Sequence, residues 1–209
     1  MLLIGAALIA VLAIGAIALL VRNDGPVRSS HPGATPSEGV TPGIPVFRFA
    51  KSTRELVRTS GVRIGKRRRE ASERAATAVR SILTDLYTEA FFDPANWERG
   101  SYDTAFRGFA PGARKQAEAH PGLLTAGAQA GDRYDWIVPG SGRIATRILL
   151  DRAGKPTLLV SVVRFSAAAL GAEPFTLRSN GQFFFERVGG SWKIVSFHVT
   201  RTDAPREGT

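Results

Sequence analysis

The sequence predicts an α+β protein: a hydrophobic amino-terminal helix, a stalk, and one domain in which helices precede an antiparallel sheet of about four long strands. Three observations carry that prediction. An uncharged, proline-free run opens the chain from Met1 to Val21; helical periodicity concentrates between residues 68 and 130; and beyond Asp132 the pattern changes to β-branched and aromatic runs cut by turns. Helices followed by strands is the ordering of α+β domains, with the helices gathered on one face of the sheet.

Residues 1–22 read as a transmembrane helix, because the 21 uncharged residues would span about 32 Å at 1.5 Å per residue, matching the ~30 Å hydrocarbon core. A cleaved signal peptide is the alternative, with Ala16-Ile17-Ala18 as a loose cleavage site, but the basic n-region and short apolar core of such a peptide are missing. Residues 23–46 read as a flexible linker. Five Pro, four Gly and five Ser/Thr fall within residues 24–45, a composition with little to bury.

Residues 47–66 form a basic juxtadomain segment that admits two readings. Phe49, Ala50, Thr53, Leu56 and Val57 recur at helical spacing opposite Arg48, Lys51, Arg54 and Arg58, the pattern of a surface-seeking amphipathic helix. A segment packed on the domain is the other reading and the preferred one. The domain proper is expected over 67–202, with 203–209 as a disordered tail. Its first helix is predicted over 68–92, where Ala75, Val79, Ile82, Leu83, Leu86, Ala90 and Phe91 share one face and Pro94 ends the run. The basic quartet Lys66-Arg67-Arg68-Arg69 sits at the positive end of the helix dipole, so regular helix is expected only from Glu70 to Ser72 onward. Shorter helices are predicted over 102–109, 112–119 and 123–130. Strands are predicted over 144–150, 157–165, 175–188 and 192–200, with turns at 151–154 and at Gly189-Gly190.

The net charge of +10 invites a nucleic-acid reading until it is located. Residues 48–80 carry +8, whereas 81–209 carry only +2 and 1–47 are neutral. A domain surface so evenly mixed predicts no nucleic-acid groove. The absence of cysteine rules out disulfides, thiolate metal sites and a cysteine nucleophile. His31, His120 and His198 lack ligand spacing, so neither a metal nor a cofactor is predicted. Pro139-Gly-Ser-Gly-Arg143 lacks the lysine and the following helix of a phosphate-binding loop and reads as a turn or bulge.

A long first helix, short helices, and strands ending in Gly189-Gly-Ser-Trp-Lys-Ile-Val-Ser-Phe-His198 resemble the nuclear transport factor 2-like, cystatin-like cone domains. The stretch Leu86-Tyr-Thr-Glu-Ala-Phe-Phe-Asp-Pro-Ala-Asn-Trp97, behind an anchor and stalk, is similar to actinobacterial membrane proteins associated with mammalian-cell-entry (Mce) lipid importers. The resemblance covers residues 67–202 and implies a curved, cone-like sheet around a pocket. Enzymes of that superfamily place a tyrosine, aspartate or histidine inside the cone, where burial tunes its pKa. Tyr87, Tyr102, Trp136, Arg164 and His198 are the pocket candidates here. No two of them form a sequence-local catalytic pair, and His198 is predicted to alternate with Trp192, Ile194 and Ser196 on one face of the last strand.

The function expected on these grounds is a membrane-anchored, non-catalytic accessory module in the cell envelope. It would meet a partner protein in a membrane complex, or a small apolar ligand in the cone, with a second copy through the sheet as a further partner. Two alternatives remain open at this point: an isomerase- or dehydratase-like enzyme, and an anionic-surface binder using Lys66, Arg67, Arg68 and Arg69 against the lipid bilayer. Arg22 and Arg28 beyond the span favour a cytoplasmic domain under the positive-inside rule. The spacer-like stalk and the family resemblance favour the extracytoplasmic side, which is the expectation adopted. Single cysteines at Ser37 and Thr202 are expected to react with an impermeant thiol reagent in intact cells; labelling only after lysis would reverse the topology.

Overall fold

Alternation with period two governs the second half of the chain, and it builds four strands longer than the sequence alone marks out. In the computed structural model, which describes residues 44–57, 64–171 and 174–205, these are β2 (Trp136–Leu150), β3 (Pro156–Leu170), β4 (Phe175–Val188) and β5 (Ser191–Pro205). They pair antiparallel in chain order. Gly189 and Gly190, both with positive φ, close the β4–β5 hairpin, a conformation glycine enters without strain.

A fifth strand, β1 (Lys51–Val57), lies parallel to β2 at the sheet edge, with Arg54 opposite Thr146 and Leu56 opposite Ile148. The surface-seeking helix drawn from this segment is therefore corrected to a strand, and the sheet to five strands of mixed sense. A parallel neighbour needs a long crossover. The whole helical half of the domain lies between β1 and β2 and supplies it. Packing of this segment on the domain, the preferred alternative, is what the structure has. The expected membrane span and nearly all of the linker lie outside the described residues, among which no helix is long and apolar enough to cross a membrane.

The stripe Ala75, Ala76, Val79, Leu83 and Leu86 buries one face of α1 (Lys66–Tyr87). Contrary to expectation the helix begins at Lys66, with the amides of Arg68 and Arg69 donating to the Gly65 carbonyl at 3.1 and 3.2 Å. Exposed charges at a helix end cost only about 0.3–1 kcal/mol. A π-helical turn over Thr88–Phe92 follows and inserts an extra residue into the helical phase, so Tyr87, Ala90, Phe91 and Phe92 are all buried. Then come α2 (Pro94–Arg99), capped by Asp93, a 3₁₀ turn at Ala105–Gly108, α3 (Pro111–Ala119), α4 (Pro121–Leu124) and α5 (Ala130–Arg133). Arg201 ties β5 to α4 by donating to the carbonyls of Gly122 and Thr125 while pairing with Asp203.

The core lies between α1 and the sheet, and residues ahead of β1 complete it. Phe47 and Phe49 are buried, and the Phe47 ring packs 5.0–5.4 Å from those of Phe49, Phe92 and Phe165. Gly142 makes the room: a Cβ there would meet the Phe47 ring at 2.7 Å. The Pro139–Gly142 stretch is a bulge in β2, as its composition indicated. Phe47→Ala is expected to cost about 3–5 kcal/mol of unfolding free energy, measured by denaturation of the full chain followed by tryptophan fluorescence. A loss below about 1 kcal/mol would mean that this segment is not part of the core.

Candidate functional site

Where a cone-type pocket would open, aromatic side chains fill the space. Tyr87 lies at the centre of the filling, its ring 4.7 Å from Phe165, 5.7 Å from Phe91, 5.8 Å from Phe49 and 6.3 Å from Phe47. Its hydroxyl is buried and makes no hydrogen bond to another protein group. Burial pushes the phenol well above its ordinary range. The Ser179 hydroxyl is the polar group nearest in effect, but the two oxygens sit outside hydrogen-bond geometry, and Ser179 Oγ is equally unpartnered. No carboxylate accompanies them among the core side chains. A group held neutral without a positioned partner has nothing to exchange a proton with.

The other pocket candidates are dispersed. Tyr102 is buried on the helical side, donating to the Gly127 carbonyl at 2.6 Å, and burial raises its phenol too. Trp136 is half-buried at the start of β2, opposite Leu170. Arg164 and His198 point to the solvent face of the sheet. For His198 this is a correction with a definite cause: β5 carries a bulge. Phe185 faces Ile194 while Phe184 faces Ser196, so Val195 is the extra residue and the inward phase passes from Trp192 and Ile194 to Val199. His198 is thereby turned outward. The basic quartet forms the first turn of α1, with Lys66, Arg67 and Arg69 exposed and Arg68 half-buried along the β2–β3 turn at Gly154. Among the described residues no group of three or more His, Asp or Glu is placed to hold a metal ion.

What the fold does bring together is a set of arginines on the solvent face of the sheet. Arg143 on β2 stands directly opposite Arg164 on β3, and Arg178 on β4 lies one diagonal step away, opposite Ser166. All three are exposed, and none makes an ion pair with a described residue. Glu55 shares this face but is held by Arg147 at 2.7 Å. Ala145, Val162 and the half-buried Phe184 give the middle of the face an apolar surface beside the arginines. Sequence reasoning named Arg164 for the interior and passed over Arg143 and Arg178. Cross-strand register is the missing signal, since residues 21 and 14 positions apart become neighbours only when the strands pair.

Comparison of the chain with protein-family models, with curated proteins and with solved structures finds no match.

Because its hydroxyl is buried and unpartnered, Tyr87→Phe is expected to leave stability unchanged or raise it by about 1–3 kcal/mol, the cost of an unsatisfied polar group. The unfolded phenol ionises near 10, and in the folded protein burial raises that value. This contribution to stability is therefore full below pH ~10 and lost as pH climbs further. The alkaline fall in stability should be shallower in Tyr87→Phe. Denaturant titrations at pH 7 and at several values above 10 measure both effects, and a neutral-pH loss exceeding about 2 kcal/mol would reveal a hydrogen-bonded, working hydroxyl.

Proposed function

We propose that this protein is a non-catalytic binding module, tethered to a membrane by its amino-terminal segment, that meets an acidic protein partner through the solvent face of its sheet. The observation that carries the reading is the Arg143–Arg164 pair. Like charges directly opposite on neighbouring strands are destabilising, by the same ~0.2–1 kcal/mol that opposite charges gain. Here the pair stands without a carboxylate partner while the nearby Glu55 is committed to Arg147. A partner carboxylate would relieve that repulsion, and the apolar strip of Val162 and Phe184 beside it would supply the desolvated centre that interfaces require.

Two features support this over the alternatives. The self-filled interior and the isolation of the Tyr87 hydroxyl speak against acid/base catalysis and against a small apolar ligand in the cone. A symmetric dimer through the same face would bring the arginine row of one copy onto its own image about the two-fold axis, which favours a different partner over a second copy. Cell-envelope transport is the setting that the family resemblance implies, with the domain held outside the bilayer.

The test places a photo-crosslinking residue at Gln182 on the sheet face of the full chain in its native membrane. A discrete adduct is expected that is lost in Arg143→Glu and Arg164→Glu and retained in Tyr87→Phe. An adduct mass equal to two copies of the chain, or one indifferent to both charge reversals, would overturn the proposal.

A further inference from the structure

On the opposite side of the sheet, where α1 passes over β1 and β2, lies a cleft that the binding face does not use. Its volume is about 210 Å³, and it is lined by Ser52, Arg54, Ala76, Thr77, Arg80 and Thr146. The register explains why these residues meet. Ser52 and Arg54 are opposite Ile144 and Thr146, which are buried, so the two β1 side chains face the helix together with them. Val79 and Leu83 fill the space between helix and sheet further along α1, whereas the methyl group of Ala76 leaves it open here. Ala76 and Thr146 form the buried floor; Ser52, Arg54, Thr77 and Arg80 form the exposed rim.

The lining carries two guanidinium groups and no carboxylate. Neither Arg54 nor Arg80 makes an ion pair with a described residue. The acids that could neutralise them are engaged elsewhere, Glu55 with Arg147 and both Asp85 and Glu89 with Arg107. Glu73, one turn before Thr77, lines a separate shallow depression. Two cations on facing elements repel until something negative lies between them. Hydroxyls accompany them, from Ser52 and Thr77 at the rim and from Thr146 on the floor, the last sharing a 2.9 Å hydrogen bond with Ser161. Guanidinium forks with hydroxyl donors are the equipment for a tetrahedral oxyanion. The cleft is smaller than the ~300–1,000 Å³ pockets of drug-sized ligands, so it suits a phosphoryl group with its first waters.

We infer that the α1–β1–β2 cleft is a phosphoryl-binding site, with Arg54 and Arg80 clamping the anion from strand and helix and Ser52 and Thr77 donating to its oxygens. The phosphoryl group is that of a soluble phosphomonoester or of an anionic lipid headgroup, two sources that share one recognition chemistry. The inference stands apart from the binding-face proposal, since it uses other residues on the other side of the sheet.

The test measures amide hydrogen exchange over residues 51–57 and 73–80 in the full chain reconstituted into neutral-lipid nanodiscs. One arm titrates phenyl phosphate; the other replaces part of the neutral lipid with phosphatidic acid. Saturable slowing of exchange in both segments is expected in at least one arm, and the arm that responds identifies the source. Arg54→Gln and Arg80→Gln should each weaken the response about tenfold or more, and Arg164→Gln should leave it unchanged. Arg54→Lys and Arg80→Lys keep the charge but lose the fork, so they should fold normally and bind with intermediate strength. No saturable protection in either arm, or the same midpoint in wild type and in the Arg54 and Arg80 variants, would overturn the site.

Discussion

Packing of the Phe47 ring over Gly142, in the volume that any other residue's Cβ would occupy, ties the chain ahead of the domain to the middle of its sheet. Phe165 is the meeting point, with the rings of Phe47, Tyr87, Phe91 and Phe92 all within 5.8 Å of it. Aromatic contacts of this kind add about 0.5–1.5 kcal/mol per pair beyond the area they bury. Because the cluster draws on β2, β3, α1, the π-helical turn and the segment before β1, it fixes the position of α1 against the sheet. The same packing holds β1 at the sheet edge and closes the interior that would otherwise be a pocket. Occupation of that space by the protein's own side chains is thus a structural requirement with a functional consequence, since the surfaces left for ligands lie outside the core.

Two local irregularities decide which residues those surfaces present. The π-helical turn after Tyr87 shifts the helical phase by one residue and drives Phe91 and Phe92 inward together. The bulge at Val195 shifts the strand phase and sends His198 outward. Each is a single inserted residue, and each reverses the orientation of everything after it. A histidine that alternation assigns to the same face as Trp192 therefore ends beside solvent.

Electrostatically the domain has two basic settings on opposite faces of one sheet, although residues 81–209 carry only +2. The asymmetry comes from how the carboxylates are spent. Glu55 holds Arg147, Asp85 and Glu89 hold Arg107, Asp103 and Glu118 hold Arg114, and Asp203 holds Arg201. Arginines left over on the solvent face and in the cleft keep their charge available. Exposed pairs contribute little to stability, typically 0–1 kcal/mol, so their arrangement is better understood as setting where negative charge is welcome than as holding the fold together.

The sequence by itself determined the α+β class, the first long helix, the four antiparallel strands and their turns, and the bulge at Pro139–Gly142. These follow from hydrophobic period and turn chemistry, which act over a few residues. The strand Lys51–Val57 was decided by tertiary structure, because its alternation is masked by a residue spacing that also fits a helix and its pairing partner lies some 92 residues away. Helix initiation at Lys66 was likewise decided by packing, which outweighs the small dipole penalty of exposed charges. The candidate site divides the same way. Arg164 was visible as an isolated charge in a strand, but its neighbours Arg143 and Arg178, and the meeting of Arg54 with Arg80, depend on register and crossover, which bring together side chains that no local pattern relates.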